Sequence, residues 1–289
     1  MRLATIKTWA GPRAALYLPE TDSYLDIHAT EANLPGNVRQ LLEGGPDVLR
    51  AVAALAQRPT AVKQPAVQAT LYAPIVDPQK IICVGLNYKD HAAETNAPLP
   101  REPILFSKYA TALCGQGEPI VLPKVSAKVD YEAELVIVIG KKGRHVTLDG
   151  AMDHVAGYTV GHDVSARDWQ LEKDGKQWMV GKTFDTFAPA GPVLVSKDEI
   201  ADPQNLAIQL RLNGTVMQSS NTNQMIFGVV DLLVYITQVF TLEPGDLIFT
   251  GTPPGVGFAR KPPVFLKGGD VVEIEIEKLG VLRNPVIQA

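Results

Sequence analysis

The sequence predicts a mainly β, α+β protein: a small N-terminal domain with its linker over residues 1–72, then a larger β-rich domain over 73–289. Three observations predict this. Short aliphatic runs recur and are cut by tight turns such as Asn213-Gly214, Glu243-Pro244-Gly245-Asp246 and Gly268-Gly269-Asp270. Few segments carry a helical period. A stretch rich in Pro, Ala, Gln and Thr, residues 58–78, separates two textures of sequence and reads as an ordered linker or domain boundary.

In chain order, residues 3–9 and 14–18 read as strands, broken by Gly11-Pro12 and closed by the polar run 19–23. Helical patterns follow at 37–43 and 46–56, the second with Asp47 as its expected cap. Residues 80–84 form a short apolar strand, and 87–94 a helical turn with Asn87 or Asp90 available to cap it. Strands are expected at 104–107, 119–122, 133–139, 156–163, 193–195 and 206–212, then a helix at 228–240 and a strand at 247–250. The last strand, 272–277, alternates acid and aliphatic strictly, the pattern of a half-exposed strand, so Glu273, Glu275 and Glu277 receive no chemistry.

Bulk properties exclude several classes. A hydrophobic content of 46% with 20% charged residues suits a globular protein with a real core. The formal charge of −4 offers no basic footprint for nucleic acid. No segment predicts a membrane span: the most apolar long stretch, 225–242, is interrupted by Asp231, Thr237 and Gln238. The start Met1-Arg2-Leu3-Ala4-Thr5-Ile6-Lys7 lacks the apolar core of a signal peptide, and two cysteines in apolar surroundings, Cys83 and Cys114, fit a reducing cytoplasm.

Candidate chemistry centres on Tyr131-Glu132-Ala133-Glu134-Leu135-Val136-Ile137-Val138-Ile139-Gly140. The unbroken aliphatic run predicts a strand buried on both faces, and residues two apart on a strand share a face about 7 Å apart. Glu132 and Glu134 therefore head one buried face together. Such acids need a divalent cation or Lys and Arg partners, and the pattern alone allows either. Asp163, at the end of another strand, could complete an oxygen triad, or pair with Arg167. Three carboxylates without a cysteine pair favour Mg²⁺, with Mn²⁺ or Ca²⁺ as competitors, over structural Zn²⁺. His91 and Glu94 lie three apart on a helical turn and can meet, as a general base and its orienting carboxylate do, although the same spacing also arises on surface helices. Lys182 could stabilise a developing enolate or serve as an ion-pair partner. Thr252, in Phe249-Thr250-Gly251-Thr252-Pro253-Pro254-Gly255-Val256-Gly257, lies in a turn that can aim backbone N–H groups at an anionic oxygen or be a turn alone. His162 is expected to face away from Asp163, and His28, His145 and His154 have no partner pattern.

The order of these motifs is more specific than any one of them. Gly85-x-Asn87-Tyr88-x-x-His91-x-x-Glu94, Glu132-x-Glu134, Asp163-x-Ser165-x-Arg167-Asp168-x-Gln170, Gly181-Lys182-x-Phe184-Asp185 and Thr250-Gly251-Thr252-Pro253-x-Gly255-Val256-Gly257 together resemble the fumarylacetoacetate hydrolase family over about three quarters of the chain. The N-terminal part is similar to the small variable domain of bacterial two-domain members. The resemblance implies rolled mixed β-sheets around a buried metal site, a homodimer and a small 2-oxo acid substrate. It implies metal ligands at Glu132, Glu134 and Asp163, substrate contacts at Arg167, Gln170 and Thr252, and catalysis by Lys182 and by a His91–Glu94 dyad on a mobile lid. The implied reaction is Mg²⁺-dependent hydrolysis of a C–C bond in a 2,4-dioxo acid such as an acylpyruvate or fumarylpyruvate. The alternative is decarboxylation, isomerisation or tautomerisation of a 2-oxo diacid such as oxaloacetate or a 2-hydroxyhepta-2,4-dienedioate-like compound. Leu86 departs from the short acylpyruvase pattern, which resembles this chain but has Arg there, and is similar to members whose substrate is poorly defined or that are linked with tautomerisation or isomerisation.

Overall fold

The computed structural model describes all 289 residues. The strand Ala133–Ile139 lies inside a 12-stranded mixed sheet, and all seven of its residues are buried. It pairs antiparallel with Val155–His162 on one side and Leu247–Phe249 on the other. Leu247–Phe249 continues in parallel to Ile81–Gly85, which pairs antiparallel with Ile104–Lys108. In the other direction the sheet runs through Ala188–Ser196 to Arg2–Thr8, Gly11–Leu18, Ser23–Asp26 and Lys63–Pro65. A five-stranded sheet, ordered Thr215–Asn221, Ala207–Leu212, Val271–Ile276, Gly280–Gln288 and Ile120–Leu122, packs against its central part.

Alternation along Ala133–Ile139 explains why no face is solvated. Leu135 and Ile137 pack with Ile208, Leu210 and Ile274 of the second sheet and with Leu233 and Ile236 of the helix Val229–Val239. Val136 and Val138 fall in the opposite core, with Leu41 and Val52 of the helices Val38–Glu43 and Gly45–Ala54. Each such aliphatic side chain contributes about 1.5–3 kcal/mol by leaving water. A strand loaded on both faces can hold a short polar segment at its end in one position. No helix is long and apolar enough to cross a membrane.

Three local expectations are corrected. Residues 58–78 are ordered, as expected, but belong to the sheet and do not lie beside it as a linker, because Lys63–Pro65 and Leu71–Tyr72 both add to it through main-chain pairing. Asp47 does not cap its helix: the helix begins at Gly45 with Pro46 in its first turn, where a missing N–H costs nothing, and Asp47 sits inside it. Neither Asn87 nor Asp90 caps the helix Lys89–Glu94. Tyr88 holds the cap position, and the Asn87 amide instead donates to Thr250 O and Phe227 O while accepting from Phe227 N. The N-terminal strands hydrogen-bond directly into the main sheet through Arg2–Thr8. The boundary at residue 72 thus stands as a proposal about sequence modules, with one sheet running across it.

Candidate active site

Glu132, Glu134 and Asp163 meet at the end of the central strands, with one oxygen from each lying within 4.8 Å of the others. Asp163 sits one residue past Val155–His162, held by its N–H donating to Glu132 O at 2.9 Å. All three carboxylates are buried.

Their partners differ. Glu132 accepts from Arg167 Nη2 at 2.6 Å and from Lys182 Nζ at 2.7 Å. Burial alone would raise its pKa, but Lys182 and Arg167 hold it down at about 2. Asp163 accepts from Lys182 Nζ at 2.7 Å, and its other oxygen lies 2.7 Å from Lys108 Nζ. Lys108 aims its hydrogens at the carbonyls of Val164, Lys182 and Phe187, so that second contact is an ion pair without a hydrogen bond. Arg167 pairs with Asp130 and Glu132, not with Asp163, because the two lysines already occupy Asp163. Glu134 has no cation of its own and accepts only from Gly251 N, at 2.8 Å. Burial, then repulsion from Asp163 and Glu132, pushes its pKa well above the usual carboxylate range.

Four buried carboxylates, Asp130 included, thus face three buried cations, and the uncompensated charge falls on Glu134. A buried carboxylate repelled by two others is stabilised by a further cation. The donors are all hard oxygens, so the cluster fits a divalent ion of the Mg²⁺ type.

The remaining predicted residues gather around this cluster in a cavity of about 220 Å³ lined by His91, Arg167, Gln170, Lys182 and Thr252. His91 Nδ1 lies 3.0 Å from Glu94 Oε2, and His91 Nε2 makes no hydrogen bond within the protein. Glu94 Oε1 accepts from Gly255 N at 2.9 Å, and Asp90 accepts from Ser220 Oγ at 2.5 Å, so both ends of the short helix are tied to the surrounding walls. Burial would raise the Glu94 pKa, but the bonds from His91 and Gly255 keep it below its ordinary value. Gln170 accepts from Arg167 Nη1 at 2.8 Å, leaving its NH₂ uncommitted. The Thr252 hydroxyl donates to Ala133 O at 2.9 Å and accepts from Gln218 Nε2 at 2.8 Å. Of the two readings of this turn, the anion-facing one is met by the backbone, since Gly251 N donates to Glu134, whereas the Thr252 hydroxyl turns to Ala133 O and not to an anion. Gly251 has φ +97°, and a Cβ there would lie 2.8 Å from Asn87 Cβ, so only glycine fits this close turn.

His162 is buried with both ring nitrogens unpaired and makes no hydrogen bond to the cluster; burial and the nearby Lys108 lower its pKa to about 3. His28 and His154 bond only to local carbonyls. Three residues central to the site escaped the sequence reading, Asp130, Lys108 and Gln218, and Asn87, readable from its pattern as a possible helix cap, is instead the tether between Thr250 and Phe227. Asp130 accepts from Arg167 Nε, Gly257 N, Phe258 N and Tyr131 N, fixing the arginine and a cavity wall together. A signal for it existed, since Asp130, Glu132 and Glu134 continue one alternating series. Lys108 ends an otherwise apolar strand, which is a weak sign of a buried cation. Gln218 had no distinguishing pattern.

Similarity to known proteins agrees with this geometry. Residues 80–287 match the family described as fumarylacetoacetate (FAA) hydrolase C-terminal. The mitochondrial oxaloacetate tautomerase fahd2 of Xenopus laevis is 52% identical over 277 residues, covering 96% of this chain and 86% of that protein. Among solved structures, a fumarylacetoacetate hydrolase from psychrophilic Exiguobacterium antarcticum is similar with a TM-score of 0.86 at 33% identity, each chain covered in full. A 2-hydroxyhepta-2,4-diene-1,7-dioate isomerase from Mycobacterium marinum has a TM-score of 0.77 at 36% identity, covering 100% of this chain and 98% of that one. The family match spans residues 80–287, the similar solved structure shares the fold along the whole chain, and this chain belongs to the fumarylacetoacetate hydrolase family of enzymes.

Proposed function

We propose that this protein is a divalent-metal-dependent tautomerase or isomerase of a 2-oxo diacid, with oxaloacetate as the reference substrate. The observation that carries the reading is the buried triad of Glu132, Glu134 and Asp163 beside a histidine whose free nitrogen belongs to the same cavity. The similarity to an oxaloacetate tautomerase at 52% identity supports the choice of substrate. In this reading Glu132, Glu134 and Asp163 hold Mg²⁺, with Mn²⁺ or Ca²⁺ as competitors. When bound, the ion supplies Lewis acidity, drawing negative charge from the 2-oxo acid as its enol form develops.

The chain's own residues do the rest. His91 Nε2 carries a proton to or from the carbon next to the keto group and the enol oxygen exchanges its own proton with water, so that the two transfers balance, while Glu94 fixes the ring and its tautomer. Lys182 Nζ, fixed by Glu132 and Asp163, places positive charge beside the reacting oxygens. Burial would lower its pKa, but Asp163 and Glu132 raise it to about 12, so it acts as a charge and not as a base. Gln170, with its NH₂ uncommitted, orients substrate, Thr252 shapes the cavity wall beside it, and Arg167 positions Glu132 and Gln170.

The second reading is hydrolysis of a C–C bond in a 2,4-dioxo acid, with His91 taking a proton from water. The same dyad geometry favours it, and decarboxylation of oxaloacetate would draw on the same charges. Leu86 weighs against the acylpyruvase form, because an apolar side chain lines the cavity at the position where that subgroup has Arg. A homodimer and a cytoplasmic location complete the proposal; the two buried, unpaired thiols fit a reducing compartment. The test follows the enol absorbance of oxaloacetate with Mg²⁺. Wild type should accelerate its decay to the keto form and His91→Ala should lose about a hundredfold or more. Turnover of an acylpyruvate with none of oxaloacetate would move the assignment to the hydrolase reading.

A further inference from the structure

The cavity has two surfaces of different chemistry. One is the carboxylate cluster with its cations; the other is an apolar lining of Leu86, Phe106, Trp178 and Phe258, in which Phe258 and Phe106 lie against Arg167 and Lys182 and so leave Leu86 and Trp178 as the apolar surface beyond them. The two cationic side chains that line the cavity are committed, Arg167 to Asp130, Glu132 and Gln170, and Lys182 to Glu132 and Asp163. A substrate tail pointing away from the cluster therefore meets hydrocarbon and aromatic surface.

Two backbone features put that surface in place. A Cβ on Gly85 would lie 2.2 Å from the Trp178 ring, so the indole rests where any other residue would intrude. The ring is backed by Phe106, edge-on at 5.8 Å between centroids and 73° between planes. The next residue, Leu86, has φ +49°, a left-handed conformation that a leucine adopts where its surroundings impose it, and such residues gather at ligand sites. The volume of about 220 Å³ is below the roughly 300–1,000 Å³ of clefts that take drug-sized ligands. Part of it must hold the head of the acid.

We infer that Trp178, seated on Gly85 and backed by Phe106, is a specificity-determining wall that restricts the substrate to short 2-oxo acids of about four or five carbons. The inference rests on the 2-oxo acid reading above and decides between the four-carbon and seven-carbon acids within it. On this inference a seven-carbon diacid displaces the indole and a four-carbon one does not reach it. A methylene accommodated or refused by an apolar pocket changes selectivity by about 10–200-fold.

The experiment compares wild type, Trp178→Ala, Trp178→Phe and Trp9→Ala, the last altering a fully exposed side chain. Two quantities are read with Mg²⁺ present: kcat/KM for oxaloacetate and for a seven-carbon 2-hydroxydienedioate, and calorimetric binding of the saturated 2-oxoheptanedioate. Trp178→Ala should raise the long-to-short ratio of kcat/KM at least tenfold and tighten binding of the long acid. Trp178→Phe should shift both the same way by a smaller factor, and Trp9→Ala should leave both unchanged. Unchanged ratios in the two Trp178 variants overturn the inference. If Trp178→Ala does not fold, a shift below about threefold in Trp178→Phe overturns it as well. A wild type that turns over neither acid defeats the functional proposal, and the binding ratio then still decides the role of Trp178.

Discussion

Two strands of this chain carry Glu-x-Glu, and they have opposite fates. Glu134 heads Ala133–Ile139, where the following residues are aliphatic on both faces, and it is buried with Glu132 and Asp163. Glu273 and Glu275 lie in Val271–Ile276, where acid and aliphatic alternate; both reach solvent and pair with Arg283 and Arg211 at the surface. The dipeptide pattern is the same in both. What differs is whether the other residues of the acids' face are apolar, since that decides whether the carboxylates keep their water. Deprived of it, Glu132 recruits Lys182 and Arg167, whereas Glu134 recruits one amide and stays short of a cation.

That contrast can be broken at several strengths. The largest effect is expected from Glu134→Gln, which should lower kcat/KM for oxaloacetate about ten-thousandfold, while Glu275→Gln stays within about twofold. Comparable losses would show that burial does not separate the two strands. Next, Arg167→Met leaves Asp130 and Glu132 buried without their shared partner and should cost about 3–5 kcal/mol in urea unfolding. A loss under 1 kcal/mol would mean that the buried network relaxes as freely as a surface pair.

The pH dependence of stability offers a subtler comparison. The Glu134 pKa is raised in the fold from an ordinary 4.5, so the folded state binds more protons than the unfolded one above that value. Its contribution is therefore a loss of stability as pH rises from 4.5 toward the raised pKa. Glu132, depressed to about 2, contributes the opposite sign: stability present above 4.5 and lost as pH falls toward 2. Metal competes with the proton on Glu134, so Mg²⁺ should raise Tm more at pH 8 than at pH 5.5. Thermal scans in chelator and in Mg²⁺ check this, and an equal rise at both pH values would contradict it. The smallest effect belongs to Arg211→Met, which removes an exposed partner of Glu275 and should change stability by about 0–1 kcal/mol.

The sequence made the central strand and its acids legible because burial on both faces leaves a continuous aliphatic run that nothing else in a β-rich chain imitates. It also placed His91 with Glu94, whose contact is set by one helical turn. Partner choice was not legible. Lys108 and Lys182 reach Asp163 from strand and helix ends far apart in sequence, and Asp130 collects Arg167 and two amides from the segment around Phe258. Such contacts depend on how sheets and loops meet in space, which local periodicity does not encode. The turn after Phe249 could be read as a plain turn or as one facing an anion, and the anion it faces proved to be a side chain of the protein itself.

The central claim is that the uncompensated carboxylate of the buried strand makes a cation site. Its most direct test is a calorimetric Mg²⁺ titration of the chelator-treated protein, run in parallel on Glu134→Gln and Glu275→Gln. The account predicts one Mg²⁺ per chain for wild type and Glu275→Gln and no measurable binding for Glu134→Gln. Undiminished binding by Glu134→Gln, or equal weakening in both variants, would contradict it.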